Sequence, residues 1–298
     1  MNANAGGIVV GYDGSEGAGL ALDWAAEMAK REGSPLTILH TLDLSAVPQF
    51  RAVEPTVDMT NFDEMERSFL DQGVARARKI LGDAEIIPVG SIGSAAAELV
   101  EASRSADLVV TGSRGRGRIS GGLLGSTSYN VTAHSTCPAV VVRSADGTAP
   151  AQPGPDRRVV VAIDDSETSE RALEEAARIA DASGARLHII MVAQPMPLEA
   201  LAYDRMPGDG AESDQEAYHK VEEGLAATGL RMAQKFPGLA VDTDVLSGDS
   251  GKTVAEFGVD AGLIVVGSRG RGGFTGMLLG SFSHSVIHHA TCPVMVIR

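Results

Sequence analysis

The chain has 298 residues and a formal net charge of −14 at pH 7. Such an acidic chain is unsuited to binding long tracts of DNA or RNA, which requires clustered positive charge. Since it has neither a long apolar run nor a charged start that leads into an apolar segment, we expect no membrane span and no export, and we predict a cytoplasmic protein.

Regular structure is predicted from residue 8 onward. The apolar run 8–12 is typical of a buried parallel strand, and the turn D-G-S at 13–15 follows it. Ser15 is a suitable N-cap for the next helix, in which apolar side chains recur on one face. Gly33 ends that helix. The pattern indicates a strand followed by a helix that packs on the same sheet.

The rest of the first half alternates in the same way. Two prolines and the absence of periodicity predict a loop over 48–62. Further strands are predicted at 36–42, 85–89, 107–111 and 139–142, and further helices at 64–81, 95–103 and from 126 onward. Alternation of strand and helix with right-handed crossovers produces a parallel sheet with helices on both faces. We therefore predict an α/β fold with a five-stranded parallel sheet.

A glycine-rich stretch, T-G-S-R-G-R-G-R-I-S-G-G-L-L-G-S-T, occupies 111–127. It follows an apolar strand and precedes a short helix, so its glycines leave backbone N–H groups free to turn toward an anion. A phosphate group is the natural ligand of such a loop.

The same stretch returns at 266–282 as V-G-S-R-G-R-G-G-F-T-G-M-L-L-G-S-F. Aligned without gaps, 111–143 and 266–298 agree at 19 of 33 positions, where average composition predicts roughly two. At the front of each half, I-V-V-G-Y-D-G-S-E at 8–16 matches V-V-V-A-I-D-D-S-E at 159–167. The chain is an internal duplication, with either two sites or one working site and one relic.

A linker separates the two copies. Residues 144–155 contain three prolines, two glycines and no large apolar side chain. We place the first domain at 1–145, the linker at 146–156 and the second domain at 157–298. Strands of the second domain are predicted at 159–163, 187–192, 241–246, 263–266 and 294–297, with a long loop at 194–214.

Both copies share the spacing of their glycines, which is G-x-x-G, nine residues, and then G-S. In an open parallel sheet the β-to-α loops gather at the carboxyl edge, so Asp13 and Asp164 would lie beside the glycine loops. A carboxylate binds ribose or the polar atoms of adenine, and a helix N-terminus binds phosphates. The alternative is that the glycines only build a tight turn.

With the aspartate after the first strand, the G-2x-G-9x-G-(S/T) loop and the closing C-P-V strand, the chain resembles the ATP-binding branch of the universal stress protein family in its tandem form. The resemblance covers nearly the whole chain. It implies two Rossmann-like domains, ATP as the ligand with or without Mg²⁺, and a role in stress response or growth regulation. It also implies a homodimer and an unidentified regulatory protein as partner.

The resemblance further implies the residues of each site. Asp13 and Asp164 would contact the nucleoside. Thr41 and Val192 would meet adenine through their backbones. In the first domain the other binding residues would be Gly11, Gly112, Gly115, Arg116, Gly117, Arg118, Gly125, Ser126 and Thr127. In the second domain they would be Ala162, Gly267, Gly270, Arg271, Gly272, Gly273, Gly280, Ser281 and Phe282.

Arginines alternate with glycine in both loops, at 114, 116, 118, 269 and 271. We favour the interpretation that these side chains neutralise a triphosphate. They would otherwise be solvated loop residues, or a short version of the arginine–glycine tracts that bind RNA. Because the runs are only a few residues long and follow a strand, we predict no nucleic-acid partner.

Two positions distinguish the second copy from the first. Ala162 stands where the first copy has Gly11, and Phe282 stands where it has Thr127. Phenylalanine offers no hydroxyl to a phosphate, so we expect the second site to bind ATP more weakly.

Three functions fit these features. We favour a module that signals by binding ATP, because no general base, nucleophile or activated pair recurs in both copies. The enzyme alternative is a slow ATPase or a nucleotidyl transferase, by analogy of fold alone. The third is a scaffold whose sites stay filled for stability. We therefore predict no catalytic residues.

The cysteines and histidines indicate no further chemistry. Cys137 and Cys292 stand at the same place in each copy before a strand, where we expect a small buried residue rather than a disulfide or a catalytic thiol. His284 and His288 have the i, i+4 spacing of a metal site, but no third ligand is evident nearby. We predict no metal site.

The strands at 139–142 and 294–297 close the two copies and would each lie at a sheet edge. Bare edge strands tend to pair. We therefore expect these two strands to pair within the chain, and the chains to form a homodimer.

Overall fold

The structure is a computed structural model that describes residues 6–43, 60–115, 124–144, 152–193, 210–270 and 279–298. The chain divides into two compact units. Unit 1 comprises Met1–Gln152 and Thr291–Arg298, and unit 2 comprises Pro153–Ala290. The last strand of the second repeat therefore groups with the first repeat, whereas the predicted limits place it in the second domain, 157–298.

Unit 1 alternates strands and helices along the chain. Its strands are β1 (Ile8–Gly11), β2 (Leu36–Leu42), β3 (Ile86–Ile92), β4 (Leu108–Gly112) and β5 (Ala139–Val142), and its helices are α1 (Glu16–Glu32), α2 (Thr60–Leu81), α3 (Ala95–Ala102) and α4 (Ser126–His134). These strands lie in the order β3-β2-β1-β4-β5, and each neighbouring pair is parallel.

Unit 2 repeats the plan. Its strands are β6 (Val159–Ala162), β7 (Leu187–Ala193), β8 (Val241–Ser247) and β9 (Leu263–Gly267), and its helices are α5 (Glu167–Ser183), α6 (Gly210–Lys235), α7 (Ser250–Phe257) and α8 (Ser281–His289). The strands lie in the order β9-β6-β7-β8 and are again parallel. The predicted α/β, Rossmann-like fold is confirmed.

The closing strand β10 (Val294–Ile297) pairs antiparallel with β5 inside unit 1. Val294 stands opposite Val141, and both strands are buried along their length. The guanidinium of Arg298 donates to the carbonyl oxygen of Ala133 in α4. The predicted pairing of the two closing strands is confirmed, so β5 has a neighbour on each side.

Capping residues explain where the two equivalent long helices begin and end. The hydroxyl of Ser15 accepts from the N–H of Ala18 at 3.2 Å, and Ser166 caps α5 in the same way. Gly33 and Gly184 end α1 and α5 in the left-handed conformation, with φ of 64° and 67°. Glycine adopts this conformation without a steric penalty. The start and the end predicted for α1 are confirmed.

Helices cover both faces of the unit 1 sheet. Leu39 of β2 packs in a buried cluster with Leu99 of α3 and Val131 of α4. Its neighbour Ile38 points to the opposite face, since side chains alternate along a strand. There α2 lies so close that a Cβ on Gly73 would be 3.2 Å from Cγ2 of Ile38.

Strand β3 is longer than its sequence predicts. The pattern predicts a strand over 85–89, whereas β3 continues to Ile92 because it pairs with β2 residue by residue as far as Leu42. Pairing with a neighbouring strand thus carries β3 through Gly90 and Ser91, although local preference does not favour a strand there.

Two helices begin inside predicted loops. Helix α2 begins at Thr60, within the predicted loop 48–62, and α6 begins at Gly210, within the predicted loop 194–214. The remaining parts of these loops lie outside the described residues, as does 145–151 of the linker region.

One difference between the repeats is matched by a second difference beside it. A Cβ on Gly11 would lie 2.9 Å from Cδ1 of Leu99. The second copy has Ala162 and Val254 at the same two positions. Because valine reaches less far than leucine, it leaves room for the methyl group of alanine. Packing, and not a left-handed backbone, requires the glycine at position 11.

We expect Gly11→Ala to destabilise unit 1 by about 1–2 kcal/mol, because it overpacks a buried contact. Adding Leu99→Val should recover most of that loss. Trp24, the only tryptophan, is 1% exposed in unit 1, so its fluorescence during urea unfolding reports on this unit. If the double variant loses as much stability as the two single losses added together, the two positions do not compensate each other.

Candidate nucleotide-binding sites

Asp13 follows β1 at the carboxyl edge of the unit 1 sheet. Its Oδ1 accepts from the N–H of Ser15 at 2.9 Å, so the turn before α1 holds the carboxylate in place. The glycine loop after β4 meets this carboxylate from the other side, since a Cβ on Gly115 would lie 2.7 Å from Oδ2 of Asp13. The fold therefore brings two of the predicted site residues together, and one of them has to lack a side chain.

The same loop also approaches the first turn of α1. A Cβ on Gly112 would lie 2.6 Å from the carbonyl oxygen of Gly17. In turn, a Cβ on Gly17 would lie 2.8 Å from the carbonyl oxygen of Arg114. Real Cβ atoms do not come this close to other atoms, so the two backbones can approach one another only because both residues are glycines.

The N-terminus of α4 is fixed above the end of β4. Gly125 is its N-cap, and no side chain caps this helix end. The N–H of Gly125 donates to the carbonyl oxygen of Ser113 at 2.9 Å, and the hydroxyl of Ser128 donates to that of Gly112 at 2.5 Å. The first-turn amides of α4 therefore lie at the same edge as Asp13, where they would attract an anion.

Thr41 stands where β2 continues beyond the end of β1. The N–H of Tyr12 donates to the carbonyl oxygen of Leu39 at 2.9 Å, so the backbone polar groups of Leu39 face β1. Along a strand the N–H and C=O groups point to the same side at every second residue, so those of Thr41 also point toward β1. The pairing of β1 with β2 ends at Gly11 and Leu39, before Thr41 is reached. The Thr41 hydroxyl lies 3.2 Å from that of Ser91 in β3.

Unit 2 repeats this arrangement at its own carboxyl edge. Oδ1 of Asp164 accepts from the N–H and the hydroxyl of Ser166 at 3.2 and 2.6 Å. A Cβ on Gly270 would lie 2.4 Å from Oδ2 of Asp164. The N–H of Gly280, the N-cap of α8, donates to the carbonyl oxygen of Ser268 at 2.8 Å.

The remaining contacts of unit 2 are equivalent as well. The hydroxyl of Ser283 donates to the carbonyl oxygen of Gly267 at 2.6 Å. The N–H of Ile163 donates to the carbonyl oxygen of Ile190 at 2.9 Å, so the backbone of Val192 faces the end of β6. Both repeats therefore retain the same geometry of aspartate, glycine loop and helix N-terminus.

The first turn of α5 departs from that of α1. Thr168 replaces Gly17, and its hydroxyl donates to the carbonyl oxygen of Arg269 at 2.7 Å. Asp165 replaces Gly14 and adopts the same left-handed backbone, with φ of 61° against 77°. The second repeat thus holds its glycine loop with a side-chain hydrogen bond where the first relies on direct backbone approach.

Positive charge gathers beside the first glycine loop. Burial lowers the pKa of the Arg143 guanidinium, and the neighbouring Arg114 lowers it further. Among the described residues, Nη1 of Arg143 is buried without a hydrogen-bond partner. Two cationic side chains near the end of β4 favour the presence of an anion there.

Several predicted site residues fall outside the described residues, so the structure does not place them. They are Arg116, Gly117, Arg118, Arg271, Gly272 and Gly273. At the start of α4, Ser126 is exposed and Thr127 is half-buried. At the start of α8, Phe282 is half-buried.

Sequence reasoning missed three kinds of residue at these sites. Ser128 and Ser283 tie the helix N-terminus to the end of the strand, and they are identical in the two copies, which was the available signal. Gly17 admits the loop backbone, and its replacement by threonine in the second copy hid this role. Arg143 lies outside the loop, at the end of the repeat, and its match to Arg298 in the second copy was the available signal.

Metal and thiol chemistry receive no support. The rings of His284 and His288 are parallel with centroids 6.3 Å apart. In the described parts of the chain, no group of three or more His, Cys, Asp or Glu side chains is placed to hold a metal ion. Neither Cys137 nor Cys292 forms a disulfide. Over the same residues, no helix combines the length and apolar character needed to cross a membrane.

Fold and loops together define a duplicated α/β protein with a glycine-lined loop and a helix N-terminus at the carboxyl edge of each sheet. The sequence model of the Universal stress protein family matches both repeats, over residues 6–143 and 156–298. The chain belongs to the universal stress protein family.

Known relatives share the tandem arrangement. A universal stress protein of Mycobacterium tuberculosis is 34% identical over 299 residues, covering 98% of this chain and 97% of that protein. One from Mycolicibacterium smegmatis is 33% identical over 303 residues, with the same coverage of 98% and 97%. The crystal structure of a universal stress protein from Archaeoglobus fulgidus superposes with a TM-score of 0.69 at 25% identity, covering 97% of this chain and 95% of that one. The resemblance to tandem universal stress proteins is confirmed.

The reactivity of the Cys137 thiol tests whether this side chain is partly buried, as the structure shows. Burial raises its pKa to about 11, so the thiol stays neutral at pH 8 and reacts slowly. We expect a Cys292→Ala variant to react with a thiol reagent at pH 8 about a hundredfold more slowly than a free cysteine, and the rate to rise about tenfold per pH unit toward pH 10. A native rate equal to that of the urea-unfolded chain would contradict this assignment.

Proposed function

We propose that this universal stress protein binds ATP, with or without Mg²⁺, in each of its two domains, and that it acts as a nucleotide-dependent module in stress response or growth regulation. One observation supports this above all. In both repeats an aspartate carboxylate, a glycine that must lack a side chain and an uncapped helix N-terminus meet at one sheet edge.

The order of the strands suggests how a nucleotide would lie. β4, β1 and β2 are neighbours, and adjacent strands are about 4.8 Å apart. With its phosphates at the N-terminus of α4, above the end of β4, a nucleotide would place its ribose beside Asp13 after β1. Its base would then reach the end of β2 at Thr41. The same path in unit 2 runs from α8 past Asp164 to Val192.

Hydrogen-bonding groups along this path match those of ATP. Carboxylates accept from ribose hydroxyls, and helix amides donate to phosphate oxygens. At the end of β2, the Thr41 backbone offers an N–H donor and a C=O acceptor, which complement N1 and the amino group of adenine. Arg114 and Arg143 would add positive charge near the phosphates, in a chain whose net charge is −14.

Binding without turnover fits the described residues better than catalysis does. No general base, nucleophile or activated pair recurs in the sequences of the two copies. No specific observation favours the slow ATPase. We also propose a cytoplasmic homodimer that acts through a regulatory protein. Such a dimer would use a surface other than the edge of β5, since β10 already pairs there.

We expect Gly115→Ala to weaken ATP binding at the first site by at least about tenfold. The new methyl group would displace the Asp13 carboxylate, which is the end of a movable side chain, so the fold should survive while the ribose contact is lost. Isothermal titration calorimetry should show the fall from two sites per chain to one. Gly224→Ala is the matched control, because a Cβ there meets nothing within 4 Å. Unchanged ATP affinity in a folded Gly115→Ala protein would remove the loop from the site.

We also expect the two sites to differ, with the second weaker by about tenfold to a hundredfold. That is the value of one hydrogen bond to a charged phosphate, which Thr127 can donate and Phe282 cannot. The change from Gly11 to Ala162 adds nothing to this difference, because Val254 accommodates it.

Gly270→Ala and Gly115→Ala isolate the first and the second site for this comparison. Thr127→Val in the Gly270→Ala background should then bring the first site down to the affinity of the second. Equal affinities at the two isolated sites would show that the Thr127 hydroxyl does not contribute.

A further inference from the structure

We infer that the two domains read the base of the nucleotide differently. The first site accepts 6-oxopurine nucleotides, such as GTP, as well as ATP, whereas the second selects the adenine nucleotide. This inference rests on the proposed binding of nucleotides at these sites, and it assigns to each a class of base.

Side-chain direction places the Thr41 hydroxyl on the face of the sheet that α4 covers. Leu39 lies on that face, where it packs with Leu99 of α3 and Val131 of α4. Thr41 is two residues further along β2 and so points the same way. The N-terminus of α4 belongs to this face, so a base on the proposed path from α4 to the end of β2 would lie beside the hydroxyl.

The Thr41 hydroxyl is one of a pair. Ser91 is its register partner in β3, and the two side-chain oxygens are 3.2 Å apart. Ser91 is buried and Thr41 is half-buried, so the pair is sheltered from water but still reachable from the edge. When one hydroxyl donates to the other, one hydrogen and several lone pairs remain for a ligand.

Unit 2 has no such pair. The positions equivalent to Thr41 and Ser91 hold Val192 and Leu246, which are again register partners and are both half-buried. Their side chains offer neither a donor nor an acceptor. Of these two residues, only the backbone N–H and C=O of Val192 are left to bind a base at this place.

The two kinds of purine differ in the order of their polar groups. Adenine presents an acceptor at N1 and a donor at its 6-amino group. Guanine and hypoxanthine present a donor at N1 and an acceptor at O6. A backbone donor and acceptor are fixed in position, so they match only one order. Hydroxyl groups rotate and both donate and accept, so at the first site the Thr41 and Ser91 hydroxyls can bind N1–H and O6, whereas the Thr41 backbone matches only the order of adenine.

The energetic consequence falls on the second site. A buried polar group without a partner is costly, which makes a fixed and mismatched edge reject a ligand. We expect the second site to bind GTP at least about tenfold more weakly than ATP, and the first site to bind the two nucleotides within about tenfold of each other.

The test uses full-length Gly270→Ala protein to report on the first site and full-length Gly115→Ala protein to report on the second. Each is titrated with ATP and with GTP by calorimetry at one salt and Mg²⁺ concentration. We call Gly270→Ala the first-site protein and Gly115→Ala the second-site protein. The ratio of the GTP dissociation constant to the ATP dissociation constant should be near one in the first-site protein and at least about ten in the second-site protein.

Reciprocal substitutions test whether the hydroxyl pair sets this ratio. In the first-site protein, Thr41→Val with Ser91→Ala should raise the ratio to that of the second site. In the second-site protein, Val192→Thr with Leu246→Ser should lower it. If the double variant of the first site fails to fold, Thr41→Val alone replaces it, because this change nearly preserves the shape of the side chain. Trp24 fluorescence shows whether unit 1 is folded.

The outcomes separate the inference from the proposal beneath it. If neither nucleotide binds the unmodified protein, the proposed function fails. If ATP binds but the first site rejects GTP as strongly as the second, the proposed function stands and the inference is overturned. Equal ratios at both sites, or ratios that do not move when the hydroxyls are exchanged, overturn it as well.

Discussion

The close approach of two loops at the carboxyl edge of each sheet is the constraint on which the sites depend. The glycine loop after β4 meets the Asp13 carboxylate, and the loop after β9 meets that of Asp164, at distances that leave no room for a Cβ. This contact explains why the spacing of the first two glycines is identical in the two copies. It also sets the aspartate beside the helix N-terminus, so one packing requirement creates both ends of the proposed nucleotide site.

The duplication shows which parts of this arrangement can vary. Where the first copy has Gly17 against a carbonyl oxygen, the second has Thr168 with a hydroxyl that donates to the equivalent oxygen. Where the first has Gly11 against Leu99, the second has alanine against a valine. Each repeat therefore holds the same backbone by different side-chain means. Thr127 and Thr41 also differ between the copies, where the second has Phe282 and Val192, and under the proposed function these positions would border the nucleotide.

Most of the fold followed from the sequence because local signals agreed with the tertiary structure. Apolar runs marked the buried strands, and Ser15 and Gly33 marked the ends of α1. The exceptions have tertiary causes. Pairing with β2 extends β3 through Gly90 and Ser91, which no local pattern predicts. Gly115 and Asp13 are about a hundred positions apart in the chain. The rule that β-to-α loops gather at the carboxyl edge predicted that they would be close, but not that Gly115 has to lack a side chain there. Arg143 is matched by Arg298 in the second copy, but nothing in the sequence places it beside Arg114.

A crystal structure of the full-length protein with ATP tests the central claim most directly. The account predicts phosphates on the first-turn amides of α4, ribose against Asp13 and adenine at the Thr41 backbone, with an equivalent molecule at α8, Asp164 and Val192. Nucleotide bound elsewhere, or at this edge with its phosphates away from both helix N-termini, would contradict it.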